Sequence, residues 1–427
     1  MRAPTLGARA TGVLLANWRG QSTVPAADLY PHQWSWDSAF VALGLRHVSA
    51  RRAQRELESL FGAQWTDGRV PHIVFDPASS PRAYFPGPDF WRSADVTGRH
   101  RPATSGLVQP PVHALAAWET FRADPATARR RGFLPRLYPR LRAWHRYLTE
   151  RRDLGGTGLV GIVHPWESGM DNSPAWDGPL SRVPPVPARE FRRRDLDHAS
   201  ATERPTDLDY GRYVRLAADY RDSGYSDRPE RHSFAVEDPL TTALLAAAED
   251  AMAAIATEIG ADPGPHRREV DRLRAALVDE LFDPATGTFP ARDVHTGAAL
   301  GYGSVAGIVP LVVPGLPVAD ALLATATGPR FRLAELGLPA SFDLTDERFD
   351  TSRYWRGPAW FNIGWLLCRG LREHGAIGLA GTVRGALLRA AERAGFREYV
   401  DPLSGQGHGA KDFSWTAAVI LDLLHPT

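Results

Sequence analysis

Apolar residues recur every three to four positions along nearly the whole 427-residue chain, in blocks rich in Ala, Leu and Arg. That spacing lays an apolar stripe along one face of a helix. The blocks predict helices near 6–18, 36–62, 109–123, 134–152, 207–222, 238–260, 267–282, 317–325, 357–374, 377–395 and 411–424, with a weaker one near 303–313. Pro and Gly punctuate them: Asp238-Pro239 opens the 238–260 helix, Gly260 closes it, and Leu134-Pro135 opens 134–152. Strand signals are brief, at Leu159 to Val163 and Thr288 to Pro290. The expected class is therefore all-α.

Long loops near 63–108, 160–206, 284–302 and 326–356 interrupt the helices. Loops of that length are usually functional or disordered, and their Trp, Tyr and Phe content argues against disorder. No short repeat supports a solenoid, and no low-complexity linker divides the chain. The expectation is one domain over residues 1–427. A toroid of six helical hairpins, an (α/α)6 barrel, suits this helix count, with the loops forming a mouth and a lid.

Composition narrows the function. The 50 basic residues nearly cancel 49 acidic ones, so no electrostatic footprint for nucleic acid is expected. No apolar run approaches the ~20 residues of a membrane span. Residues 1–20 offer only the run Val13-Leu14-Leu15-Ala16, too short for a secretory leader, so the expected location is cytoplasmic. A lone cysteine, Cys368, leaves no internal disulfide or Cys-based zinc site and reads as a core thiol. The 14 histidines form no His-Glu-x-x-His pattern, and neither an EF-hand loop nor a Gly-x-Ser-x-Gly elbow occurs. No metal or cofactor is expected. The 13 tryptophans are clustered: nine lie between Trp18 and Trp176, four between Trp355 and Trp415. Bulk packing would scatter them.

Four segments carry the chemistry. His164 to Asp177 holds three carboxylates, Glu167, Asp171 and Asp177, flanked by Trp166 and Trp176. A carboxyl against indole loses solvation and gains the raised pKa of a general acid, although an acidic loop is also an ordinary solvated turn. Phe396 to Trp415 holds Glu398 between apolar neighbours ahead of a Gly-rich turn. Gly405, Gly407 and Gly409 lack the strand and Gly-Lys-Ser/Thr of a phosphate loop. Arg353 to Trp365 interleaves Arg with aromatic rings, a stacking wall for sugar faces. Tyr30 to Asp37 places Trp34 and Trp36 on alternating sides, with Asp37 as a helix N-cap or a partner for substrate hydroxyls. Separated carboxylates in aromatic loops are the equipment of glycoside hydrolysis.

Read together, QWSWDSAF, PHIVFDP, HPWESGMDNSPAWD, RPTDLDYGRY, RYWRGPAWFNIGWL and EYVDPLSGQGHGAKDFSWTAA resemble glycoside hydrolase family 63. The resemblance is to its short bacterial members that hydrolyse glucosylglycerate and mannosylglycerate, and it runs from residue 33 to 418. It implies an (α/α)6 barrel and an inverting α-glycosidase, with Asp171 as general acid and Glu398 as general base. An inverting pair stands ~6.5–9.5 Å apart, leaving room for one water. The resemblance further implies a hexose subsite of Tyr30, Trp34, Trp36, Asp37, Gln109, Trp166 and Gly169, walled by Trp355 and Trp360. Arg204 and Tyr210, with Tyr354 and His72, are its leaving-group subsite, where the Arg fork suits a glycerate carboxylate. The loops at 63–108 and 184–210 are expected to close as lids. The implied partner is a small glycoside, and the family leaves a homo-oligomer open.

Three other readings stand beside it: a relative cleaving neutral disaccharides or α-glucan ends, a non-catalytic sugar-binding protein, and a helical terpene cyclase. The second would be expected to lack one carboxylate, and the third to carry an Asp-x-Asp-Asp motif that this chain does not have.

Overall fold

The computed structural model describes residues 4–98, 102–197 and 200–425; residues 99–101 and 198–199, within two of the expected loops, lie outside that description. Six helical segments form an inner ring: Ser35–Leu45, His113–Ala123, Pro239–Glu258, Val309–Val312, Phe361–Glu373 and Ser414–Leu424. Each packs on the next, and the last packs on the first. Leu6–Ala16, Ala50–Gly62, Phe133–Arg151, Gly264–Leu281, Ala319–Thr327 and Ile377–Ala394 alternate with them in sequence and form the outer layer. This is the all-α class that the periodicity predicts, closed into the (α/α)6 barrel that the resemblance implies.

The sequence of each helix explains its layer. Ser35–Leu45 is buried along its whole length, and Pro239–Glu258 is so rich in Ala and Leu that only a few of its residues reach solvent. A helix apolar all round must be enclosed. Ala50–Gly62 instead buries Ala53, Gln54, Glu56, Leu57, Leu60 and Phe61, one stripe, and turns Arg51 and its neighbours outward. Pro239–Glu258 has the length and apolar character of a membrane span, yet 83% of its apolar window is enclosed by the barrel. The ring closes tightly: a Cβ on Gly44 would stand 2.3 Å from Cα of Ala418, so the first and last inner helices touch backbone to backbone.

Several boundaries differ from expectation. The block 36–62 is two helices, because Ser49 caps a new start by accepting from the Arg52 N–H. The weak helix near 303–313 is two 3-10 turns, Val305–Gly307 and Val309–Val312, the second opening on Pro310. Helix 109–123 begins only at His113, after Pro110-Pro111, and 357–374 begins at Phe361. Gly357-Pro358 leads instead into a short strand, Ala359–Trp360. The expected strand at 159–163 is Gly161–Ile162, in a four-stranded antiparallel sheet with Val236–Glu237, Ala291–Asp293 and Ala299–Leu300. Two smaller sheets pair Gln33–Trp34 with Ile73–Val74, and Ala359–Trp360 with Tyr399–Val400 and Gly407–His408.

Candidate active site

Three inner helices start directly after a short strand: Ser35–Leu45, Pro239–Glu258 and Phe361–Glu373. The N-terminal ends of the ring thereby open toward the loops. A cavity of about 750 Å³, its opening included, lies at that end, a size suited to a small ligand. Trp34, Trp36 and Asp37 line it from the start of the first inner helix, and Gln109 from just ahead of the second. Tyr354, Trp355 and Trp360 come from the approach to the fifth, and Phe413 and Trp415 from the start of the sixth. Helix N-termini carry partial positive charge, so this end of the barrel favours a ligand with negative charge.

Fourteen of the expected site residues line the cavity: Tyr30, Trp34, Trp36, Asp37, Gln109, Trp166, Gly169, Asp171, Arg204, Tyr210, Tyr354, Trp355, Trp360 and Glu398. His72 does not. It is 1% exposed, accepts or donates to Ser105 Oγ through Nδ1, and meets Trp34 edge-on at 5.3 Å between ring centres. Its imidazole therefore backs the tryptophan wall, and burial pushes its pKa well down. Asp37 is not an N-cap either. Ser35 begins the helix, and Asp37 sits inside its first turn and lines the cavity. Burial, then the nearby Glu398 and Glu56 carboxylates, raise its pKa well above the usual range.

The His164–Asp177 loop separates its three carboxylates into three roles. Glu167 is fully buried and receives both Nη groups of Arg152, at 2.6 and 2.7 Å, plus the Val108 and Val163 N–H groups. It is a structural anchor for the loop. Asp177 is tied to Arg356, joining this loop to the one that carries Trp355 and Trp360. Only Asp171 faces the cavity. Its own backbone is fixed, with the Asp171 carbonyl accepting from Tyr213 Oη at 2.6 Å and the Met170 carbonyl from Trp176 Nε1 at 2.8 Å. Trp176 is thus a buried brace, not a wall. Burial raises the Asp171 pKa to about 7, with Glu398 and Asp195 adding to the shift against the opposing pull of Arg204. A carboxyl at that value is protonated much of the time near neutrality.

Glu398 stands at the foot of the hairpin formed by Tyr399–Val400 and Gly407–His408. Only 2% exposed, it accepts from four protein donors. Arg204 Nη2 at 2.9 Å and the Ala410 N–H at 3.0 Å reach Oε2, while Tyr30 Oη at 3.1 Å and Tyr354 Oη at 3.5 Å reach Oε1. Arg204 comes from the expected 184–210 lid segment, of which Asp195, Arg204, Pro205 and Tyr210 line the cavity. Glu203 fastens that segment to the hairpin through His408 at 3.0 Å, and its carbonyl accepts from Tyr399 Oη.

The walls are aromatic. Trp355 and Trp360 stack at 3.9 Å and 1°, and Trp36 meets Trp415 edge-on at 5.5 Å. Among the described residues, the buried indole N–H groups of Trp34 and Trp415 have no protein partner. Gln109 Oε1 is held by the Trp36 N–H at 3.3 Å, which orients the amide. Among the described residues, no group of three or more His, Cys, Asp or Glu side chains is placed to hold a metal ion.

Tyr84, Asp195, Pro25, Pro205 and Phe413 also line the cavity, and the sequence reading named none of them. Tyr84 lies in the 63–108 loop without a local motif. Asp195 follows Arg192-Arg193-Arg194, a stretch that reads as solvated charge. Arg193 pairs with it and also donates to the Pro205 carbonyl, which turns it inward.

Residues 30–416 match the mannosylglycerate hydrolase MGH1-like glycoside hydrolase domain. The chain is 43% identical over 417 residues to the mannosylglycerate hydrolase of Thermus thermophilus, covering 97% of this chain and 99% of that one. It is 39% identical over 442 residues to the glucosylglycerate hydrolase of Mycolicibacterium hassiacum, covering 98% and 97%. A crystal structure of the family 63 mannosylglycerate hydrolase from Thermus thermophilus, in complex with Tris and D-glycerate, superposes with a TM-score of 0.89. It is 41% identical, over 99% of this chain and all of that one.

Proposed function

The chain belongs to the mannosylglycerate hydrolase MGH1-like glycoside hydrolase family, and on that premise we propose that it hydrolyses the α-glycosidic bond of hexosyl glycerates, releasing hexose and glycerate. Glucosylglycerate is the leading substrate and mannosylglycerate the second. Residues 1–427 act as one catalytic unit.

One observation carries the assignment of roles: Asp171 and Glu398 face a single aromatic cavity in opposite electrostatic settings. Asp171, raised to about 7, has a proton to give. Glu398 is surrounded by donors and presents lone pairs. In the proposed reaction Asp171 protonates the glycerate oxygen as the C1–O bond breaks. A water attacks C1 from the opposite face and passes its proton to Glu398. The hexose leaves with its anomeric configuration inverted, and the enzyme resets as Glu398 releases its proton to solvent and Asp171 regains one. Stacked Trp355 and Trp360, with Trp34, Trp36 and Trp166, hold the ring faces. Asp37 and Gln109 are placed to bond its hydroxyls, and Arg204, Tyr210 and Tyr354 stand on the glycerate side.

The test is incubation with α-glucosylglycerate, α-mannosylglycerate and neutral α-glucosides, with the first-formed anomer read by NMR. Initial β-hexose and free glycerate are expected. Initial α-hexose would remove the inverting assignment, and a preference for neutral glucosides would remove the substrate. Asp171→Asn and Glu398→Gln should each lower kcat by about 10²- to 10⁴-fold, the usual weight of a general acid or base.

A further inference from the structure

The acceptor positions of Glu398 are crowded: three donors stand within 3.1 Å, and Tyr354 Oη is at 3.5 Å. A carboxylate offers about four acceptor positions, and Arg204, Ala410, Tyr30 and Tyr354 supply four donors. A water that is to hand its proton to this group needs one of those positions. Three of the donors stand on fixed parts of the fold: a backbone N–H and two tyrosines braced by neighbouring rings. The fourth is the long side chain of Arg204.

Arg204 is itself fully committed on one edge. Nη2 binds Glu398, Nη1 donates to Tyr30 Oη at 2.9 Å, and the guanidinium lies over the Tyr354 ring at 4.7 Å. Its Nε is buried without a partner among the described residues. Its backbone is anchored, since neighbouring Glu203 is bound to His408 and to the Gly409 N–H. The side chain can therefore turn while the segment's backbone stays in place. A second carboxylate in the cavity would compete with Glu398 for this one cation: a bidentate pair on the other edge, Nε with Nη2, would turn the guanidinium toward it and away from Glu398.

We propose that Arg204 is a positioning residue that occupies Glu398 in the free enzyme and is drawn off by the carboxylate of the leaving group, opening an acceptor position for the attacking water only when an anionic glycoside is bound. The proposal rests on the hexosyl glycerate reading above. It makes substrate charge act on turnover and not only on binding.

The test compares the wild-type enzyme on α-glucosylglycerate and on α-glucosylglycerol, in which CH2OH replaces the carboxylate. The neutral substrate is run with and without formate, against chloride at equal ionic strength. The expected result is a kcat for glucosylglycerol lower by about tenfold or more, the worth of one charge-assisted hydrogen bond, and a rise in that kcat with formate. Arg204→Met should abolish the formate effect, and the wild-type arms stand even if that variant fails to fold. Equal kcat for both substrates with a difference in KM alone, or no response to formate, overturns the proposal. Failure to cleave any glycerate glycoside instead overturns the substrate reading, and the proposal with it.

Discussion

A methyl group on Gly409 would stand 2.5 Å from Oε2 of Glu398 and 2.7 Å from the Tyr399 ring. Residue 409 also has φ +67°, a conformation that L side chains avoid. The hairpin carrying Glu398 can fold back only because this position is bare. Gly409→Ala should displace the carboxylate and lower kcat by about 10²-fold, the cost of a misplacement near 1 Å. The circular dichroism spectrum should stay that of the wild type. A variant with full kcat would show that Glu398 tolerates the shift and is not the base.

Asp171 must be protonated to act as the acid, and burial with the neighbouring carboxylates sets its pKa at about 7. The value of kcat/KM should therefore fall about tenfold per pH unit above neutrality. The check is a pH–rate profile on the free enzyme. A profile flat to pH 9 would remove Asp171 from the role.

The same shift has a cost in stability. The ordinary aspartate value is 3.8, so between about 4 and 7 the native state holds a proton that the unfolded chain releases. Stability from this group is complete below pH 4 and declines as pH rises through 7. Asp171→Asn removes the penalty. Chemical denaturation should find the variant more stable than wild type at pH 8, by about 2 kcal/mol more than any difference at pH 5. Equal gains at both pH values would count against a raised Asp171.

The Arg152–Glu167 pair is inaccessible to solvent on both sides and holds the loop that aims Asp171. Removing one partner strands the other charge in the core. Arg152→Met should destabilise the fold by about 3–5 kcal/mol and lower activity through loss of loop order. Arg152→Met with Glu167→Leu should recover stability more than activity, since no charge is then left unpaired. Thermal melts and initial rates on the single and double variants separate the two effects.

Much of this architecture was legible locally. The period over 377–395 is the Ile377–Ala394 helix nearly to the residue, because facing positions recur within one turn of chain. The site residues were legible as motifs, since Trp, Asp and Gly crowd into a few short loops. The sequence alone determined the all-α class, most of the helices and the loops that carry the chemistry; which helices line the closed ring is decided by packing. Residue types alone did not rank Glu167, Asp171 and Asp177 within one loop, where only the family resemblance picked out Asp171, nor did the sequence place His72 behind the wall, Asp195 inside it, or Arg204 on Glu398 across 194 residues. Those outcomes depend on which loops meet at the mouth. Period is a property of neighbours along the chain, whereas burial and charge pairing are properties of neighbours in space, and only the tertiary structure brings Arg152 to one carboxylate and leaves its neighbour free to hold a proton.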